Sequence, residues 1–378
     1  MRIISTIPEL TFNDVLILPG KSDYNAAEDN TKTSLKARLS KKISIDIPII
    51  SAPMPHLTEV DMAITLGKLG GIGFLHCFQD HSSQLSQAIA VKKAGVKVAV
   101  AVSDFSKNGF AHVAHLLKNK VDLICLETAH ALNQDTIDFL KQIKSNFPQS
   151  QVCVALVVTG DATKALIEAG ADSIRVGIGG GSHCTTRLVT GVGRPQLSAI
   201  YDCYQVAKKY HVPIISDTGI QNPGDIVKAV AFGADTVMIG GLFTGTQECP
   251  GDIIKKDGKF YKFSAGMCSA DLDKKSSAPS LNLSQVKQVL KTTIKKMVRP
   301  SSASKFIPHY SRPFTYTHEG ISALIPYKGG VTPIVQELCG GLRRSMWYVG
   351  AHDIESLRDK SRVVIVTSNT QNDNVPRI

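Results

Sequence analysis

Cys184 lies in the run GIGGGSHCTTRLVTGVGRPQ, where six glycines surround it. Glycine-dense backbone lets amide groups approach an anion closely, so a thiol in this setting sits within reach of a bound phosphorylated substrate. Glycines and hydroxyls, not aliphatics, flank Cys184, and Arg187 nearby favours its thiolate form. The chemistry this implies is covalent attack on a nucleotide-like molecule. Gly177, Gly179, Gly180 and Gly181 also meet the needs of a plain tight turn; with Ser182 they can instead present amides and a hydroxyl to phosphate. Gly240 and Gly241 form a second pair after an apolar run, and Asp217 in ISDTGI is either a turn cap or an ionised acceptor for ribose hydroxyls. Neither glycine run matches a Walker loop or a GxGxxG fingerprint, which argues against a Rossmann unit.

These groups need a scaffold that brings them together. Short apolar runs recur at Ile49 to Ser51, Gly71 to Leu75, Val96 to Val102, Asp122 to Leu126, Val152 to Val158, Ser173 to Val176, Pro213 to Ser216 and Thr236 to Ile239. Continuous rather than alternating apolar runs suit strands buried on both faces. Amphipathic stretches lie between them, among them Glu59 to Leu69, Asp135 to Phe147, Asp161 to Ala169, Leu197 to Tyr210 and Pro223 to Phe232. The phrases AGAD at Ala169 to Asp172 and FGAD at Phe232 to Asp235 mark two βα units built alike. Eight such units predict an α/β fold, a single (β/α)8 TIM barrel over residues 1–378, with a doubly wound open sheet as the competitor. In a barrel the functional groups gather at the strand carboxyl ends, which here means Ser51, Met54, His76, Glu127, His130, Thr159, the Cys184 loop, Asp217 to Gly219 and Gly240 to Gly241.

Residues 270–318 break this rhythm and are rich in Lys, Ser and Pro. They are read as a flexible basic insertion, with a short helix starting near Ser284, that serves as a flap over the rim or as a surface loop without function. The formal net charge is +11, but the basic residues are dispersed and there is one Trp, so nucleic-acid binding is not expected. Eight cysteines without a CxxC pair are read as reduced thiols. No stretch is apolar enough to span a bilayer, so a soluble, cytoplasmic protein without a membrane partner is expected.

TFNDVLILPG, ISAPM, GGIGFLH, ETAHA, the Cys184 loop, SDTGI with NPGDIVKAVAFGAD, VMIGG, GDIIKKDGKFYKFSAGM, EGISALIPYKGG and GGLRRSMWYVGA occur in this order across nearly the whole chain. Together they resemble the IMP dehydrogenase and GMP reductase family. The resemblance implies a (β/α)8 barrel, usually a homotetramer, that binds a purine mononucleotide and attacks purine C2 with the loop cysteine. It makes Cys184 the nucleophile, Thr186 its hydroxyl partner in proton transfer, and Glu319 the group that helps protonate departing ammonia in the reductases. Ser182, Gly240 and Gly241 would hold the phosphate, Asp217 and Gly219 the ribose, and Ser51, Met54, Gly266 and Met267 the rest of the nucleotide. Glu127, Thr128 and His130 would meet the nicotinamide cofactor, NADPH in the reductase or NAD in the dehydrogenase. The backbone carbonyls of Gly179, Gly181 and Cys184 would hold a monovalent cation, potassium.

Within the family, the span from Leu75 to Val96 leaves no room for the CBS modules that dehydrogenases usually carry there. The Arg-Tyr dipeptide with which dehydrogenases activate water is absent. These features, with the double glycine after VMI, GDIIKKDGKFYK and GMCS, favour the reductase: NADPH-dependent reductive deamination of GMP to IMP and ammonia. A dehydrogenase without CBS modules, taking IMP to XMP with NAD, and a catalytically silent nucleotide-binding protein are the alternatives. Cys77, Pro55, Leu156, Glu127 and Tyr316 depart from the usual residues of the family and leave room for another 2-substituted purine nucleotide.

Overall fold

A computed structural model describes residues 8–23, 33–273, 317–367 and 370. The described residues form strands β1 to β15 in chain order, and eight of these close a parallel barrel. The barrel strands are β4 (Ile49–Ser51), β5 (Ile72–Leu75), β6 (Ala99–Val102), β7 (Leu123–Leu126), β8 (Val152–Val157), β9 (Ser173–Val176), β10 (Ile214–Asp217) and β11 (Thr236–Ile239). They follow one another around the ring in sequence, and β11 pairs with β4 to close it. The eight apolar runs are these eight strands, and the (β/α)8 reading holds. All except Leu156 of β8 are buried throughout, as strands covered by helices outside and side-chain layers inside must be.

The named amphipathic stretches form helices Val60–Lys68, Gln134–Asn146, Gly160–Glu168, Gln196–Ala207 and Pro223–Ala231. Two further barrel helices, His81–Lys93 and Lys107–Lys118, complete the alternation. Side-chain caps start most of them: Asp80, Ser106, Asn133, Thr159 and Asn222 each accept a backbone N–H of the first turn.

The repeated GAD phrase has a physical basis at the amino end of the barrel. Gly170 (φ +113°) and Gly233 (φ +120°) end their helices in a conformation that L side chains rarely adopt. The aspartate that follows each one then pins the preceding strand. Asp172 donates its N–H to Val152 O at 2.8 Å, and its Oδ2 accepts the Val152 N–H at 2.9 Å and Lys144 Nζ at 2.8 Å. Asp235 makes the same reciprocal pair with Ile214, at 2.8 and 3.0 Å. Asp122 repeats it with Val98, at 3.1 and 2.9 Å, and adds Lys92.

Outside the barrel, β1 (Val15–Leu18) pairs with β15 (Arg362–Ile365), and β2 (Ala37–Arg38) with β3 (Ser44–Ile45). An antiparallel sheet of β12 (Ile254–Lys256), β13 (Lys259–Ala265) and β14 (Ser322–Pro326) follows the last barrel strand. Asp257 and Gly258, both at positive φ, turn β12 into β13, the two-residue hairpin loop that an Asp-Gly pair favours. The expected flap over residues 270–318 is described only at its edges, with a short helix at Ala270–Asp273 and residues 317–318. Its remainder, the helix expected near Ser284 and Tyr316 lie outside the described residues. No described helix is long and apolar enough to cross a membrane.

Candidate active site

The Cys184 loop follows β9 and is held from three sides. Cys184 N–H donates to Gly181 O at 3.1 Å, closing a turn that lifts the thiol, and Cys184 Sγ lies 3.0 Å from Thr186 Oγ1. Both residues are partly exposed, so the pair faces open space. The segment before β14 stitches the loop down: Thr185 N–H donates to Glu319 O at 2.8 Å, and Ile321 N–H donates to His183 O at 2.9 Å. That segment is bonded in turn to the end of β13, through Glu319 N–H to Cys268 O at 3.1 Å and Gly266 N–H to Ile321 O at 2.9 Å. Glu319, Gly266 and Met267 are thus brought to the cysteine loop by backbone pairing across a gap of many residues.

Gly266 is required by that pairing, since a Cβ there would lie 2.9 Å from His183 O. The two glycine runs also meet. A Cβ on Gly241 would lie 2.7 Å from Ser182 Oγ, and one on Gly240 would lie 3.4 Å from Met54 Sδ. Ser182, Gly240, Gly241 and Met54 therefore share one seat at the carboxyl end, with Ser182 and Gly241 exposed in it. Gly219, at φ +86°, has its would-be Cβ 2.9 Å from Phe12, so it turns the chain away after Asp217. Ser51 is fully buried, its Oγ 2.9 Å from Thr58 Oγ1, and does not open on this seat.

The floor is ionic. Arg175 of β9, only 2% exposed, donates from Nε and Nη2 to Asp217 Oδ2 at 3.2 and 2.6 Å, and from Nη1 to Glu127 Oε2. Burial pushes the Glu127 carboxyl up, and the guanidinium opposes that shift. Arg175 binds Asp217 through Oδ2 alone, which leaves Oδ1 clear of the guanidinium and fit to accept from a diol. Glu127 is turned inward on the same guanidinium, whereas Thr128 and His130 lie on the open rim, where the Thr128 hydroxyl donates to His130 O at 3.2 Å.

Gln196 ties the two strand ends together, donating to Val176 O at 2.7 Å and Asp217 O at 3.0 Å. Arg187 braces the loop that carries the thiol. Its guanidinium donates to Ile178 O and Arg194 O at 3.0 and 2.5 Å, so its charge holds the loop from below. Burial pushes the Cys77 thiol up to about 11, which disfavours its thiolate. His76 is buried; Phe78 N–H donates to its Nδ1, which places the proton on Nε2, 3.3 Å from Glu59. All eight cysteines are free.

No group of three or more His, Cys, Asp or Glu among the described residues can hold a metal ion. The carbonyls of Gly181 and Cys184 belong to one turn, with Gly179 at φ +78° just before it, and neutral oxygen donors of this kind suit a monovalent cation.

Arg175, Gln196 and His183 were missed by sequence reasoning. Arg175 could have been found, because a charged residue inside the buried run SIRV needs buried partners of opposite charge.

Comparison with known proteins supplies the remaining finding. The family model for the IMP dehydrogenase / GMP reductase domain matches residues 9–377. An inosine-5′-monophosphate dehydrogenase of Cryptosporidium parvum is 36% identical over 95% of this chain and 92% of its own length. A dehydrogenase of the same name from Borreliella burgdorferi is 32% identical, covering 97% of this chain and 96% of its own length. A GMP reductase of Onchocerca volvulus is also 32% identical, covering 98% and 94%.

Proposed function

The chain belongs to the IMP dehydrogenase / GMP reductase family, a family of oxidoreductases acting on purine mononucleotides with nicotinamide cofactors, and from that premise we propose that it is a GMP reductase. The observation that carries the catalytic part is the 3.0 Å contact between Cys184 Sγ and Thr186 Oγ1 on a loop tied to Glu319. In this reading Ser182, Gly240 and Gly241 seat the phosphate, Asp217 Oδ1 accepts from the ribose diol, and Met54, Gly266 and Met267 border the base. Ser51 supports that wall from beneath, through Thr58.

Cys184 attacks C2 of GMP as the thiolate. The bond from C2 to the exocyclic nitrogen breaks, and ammonia leaves with a proton delivered through Thr186 and Glu319. The purine stays on Cys184 as a thioimidate. Thr128 and His130 would hold the reduced nicotinamide, NADPH in this reading, and that group would supply the hydride to C2. C2 then carries hydrogen, the C–S bond breaks, and IMP departs as Cys184 regains its thiolate. Arg175 holds Asp217 in place throughout through the two hydrogen bonds to Oδ2. A potassium ion on the carbonyls of Gly179, Gly181 and Cys184 would order the loop, and a homotetramer in the cytoplasm fits the family.

Absence of an Arg-Tyr dipeptide favours this direction, because hydrolysis of the dehydrogenase intermediate needs an activated water. The opposite reading, IMP to XMP with NAD, is favoured by the 36% identity to a dehydrogenase, above that to the reductase. Absorbance at the nicotinamide band separates them. Oxidation of NADPH with GMP is the expected result. Reduction of NAD with IMP would select the dehydrogenase, and silence in both assays alongside tight nucleotide binding would leave a non-catalytic binder.

A further inference from the structure

His183, between Ser182 and Cys184, carries a buried nitrogen that finds no partner among the described residues. The residue is 8% exposed, and its Nε2, shielded from solvent, makes no hydrogen bond to any described residue. Its Nδ1 lies 3.1 Å from Ser182 Oγ. Its main chain is clamped, since a Cβ on Gly266 would meet His183 O at 2.9 Å and His183 Cβ at 3.1 Å, and His183 O accepts the Ile321 N–H. The point from which the ring projects is therefore fixed by the same pairing that carries Glu319.

Burial lowers the affinity of the imidazole for a second proton, so one ring nitrogen carries hydrogen and the other is bare. If Ser182 donates to Nδ1, the hydrogen sits on Nε2 and a buried N–H goes unpaired. If Nδ1–H donates to Ser182 Oγ, only a lone pair is left unmatched at Nε2. Buried unpaired N–H groups are the rarer and costlier of the two. The second arrangement also frees the serine proton. Ser182 Oγ lies 2.7 Å from where a Cβ on Gly241 would be, so the freed hydroxyl is beside the Gly240–Gly241 loop.

We propose that His183 is a positioning residue for the phosphate seat: its Nδ1–H donates to Ser182 Oγ and thereby commits the serine hydroxyl proton to a phosphoryl oxygen of the bound 5′-monophosphate. This rests on the purine mononucleotide reading above and adds a determinant for the phosphoryl group itself. It separates the two neighbours by task, His183 acting on recognition and Cys184 on chemistry.

Calorimetric titration of the full-length protein with GMP and with guanosine tests it, using H183L, H183N, S182A and the S182A/H183L double variant. H183L should bind GMP about tenfold more weakly, in keeping with one lost hydrogen bond to a charged acceptor, with guanosine affinity unchanged. H183N, whose amide N–H can take the place of Nδ1–H, should recover most of that loss. The double variant should bind GMP no more weakly than S182A, because both substitutions break one relay. Unchanged GMP affinity in H183L, an equal loss for guanosine, losses that add in the double variant, or an asparagine variant as weak as leucine would each overturn the proposal. If wild-type protein bound neither GMP nor IMP, the nucleotide reading would fall and this inference with it; wild-type binding with an indifferent H183L sinks this inference alone.

Discussion

The two ends of the barrel are built on different principles. At the amino end, Asp122, Asp172 and Asp235 each close a reciprocal main-chain and side-chain pair with the preceding strand, and a cation completes each one. Among the described residues there, the hydroxyls of Ser173 and Thr236, at the first positions of β9 and β11, go unpaired. At the carboxyl end the chain uses glycines where a Cβ would collide, a threonine at φ +89°, and a guanidinium buried between two carboxylates. Among the described residues, His183, Ser269 and Ser322 leave polar atoms unmatched on the segments around Cys184. One end makes the barrel close, and the other keeps groups ready for a ligand.

Substitutions at the two ends should therefore fail differently. The largest effect is expected at Cys184. C184A should lower turnover by on the order of 10⁴-fold or more while nucleotide affinity stays within about tenfold, because in the proposed reading the glycine loops and Asp217 supply the binding. Steady-state kinetics and a binding titration check this, and a collapse in affinity would make the thiol part of the scaffold. Next comes R175M, which strands two buried carboxylates. It should cost about 3–5 kcal/mol of stability and also raise the nucleotide KM, since Asp217 loses the partner that aims it. Denaturant unfolding together with KM reads both. Loss of stability with normal KM would mean that the ionic floor does not serve the ligand.

D235A probes the opposite end. It removes the acceptor for the Ile214 N–H at 3.0 Å and for Arg38 and Arg358 at 3.2 and 3.3 Å, and should cost about 2–3 kcal/mol. At a temperature where the variant is still folded, its kcat and KM should match wild type. A change in KM comparable to that of R175M would erase the distinction between the two ends.

Much of this was legible in the sequence. Strands buried on both faces must be continuously apolar, so all eight could be placed to within a few residues, and the GAD phrases recorded the joints that seat them. The Cys184 loop, Gly240 and Gly241 were legible because glycines so dense would weaken any ordinary strand or helix and suit close approach of the backbone to a ligand. Helix His81–Lys93 was hard to see, since its apolar residues do not gather on one face. The pairing of Glu319 with Thr185 and the inward turn of Glu127 onto Arg175 were hidden for a different reason. They depend on which residues tertiary pairing makes neighbours, and no local periodicity encodes that. The Asp-Gly hairpin turn at 257–258, by contrast, is a local signal that turn chemistry alone makes readable and that sequence reasoning passed over.

The smallest effect is also the sharpest test of the contrast, because its sign is unusual. Thr218 follows Asp217 at φ +89°, a region costly for a β-branched residue, by about 1–3 kcal/mol. Its hydroxyl makes only a long 3.4 Å contact with Gln196 Oε1. Its other role is steric: a Cβ on Gly180 would lie 2.5 Å from Thr218 Oγ1, so the threonine packs directly against the nucleophile loop. T218G removes the strain but adds about 0.5–1 kcal/mol of chain entropy to the unfolded state. The net expectation is a gain in stability of about 1 kcal/mol, the middle of a range from about 0 to about 2.5 kcal/mol. Turnover should fall a few-fold at the same time, as the loop before Cys184 loses the surface it rests on. Thermal melting and kcat on the same preparation decide it. A less stable T218G would mean that the threonine contributes packing worth more than its strain, and a more stable variant with undiminished turnover would mean that the strain at this end of the barrel does nothing for the thiol.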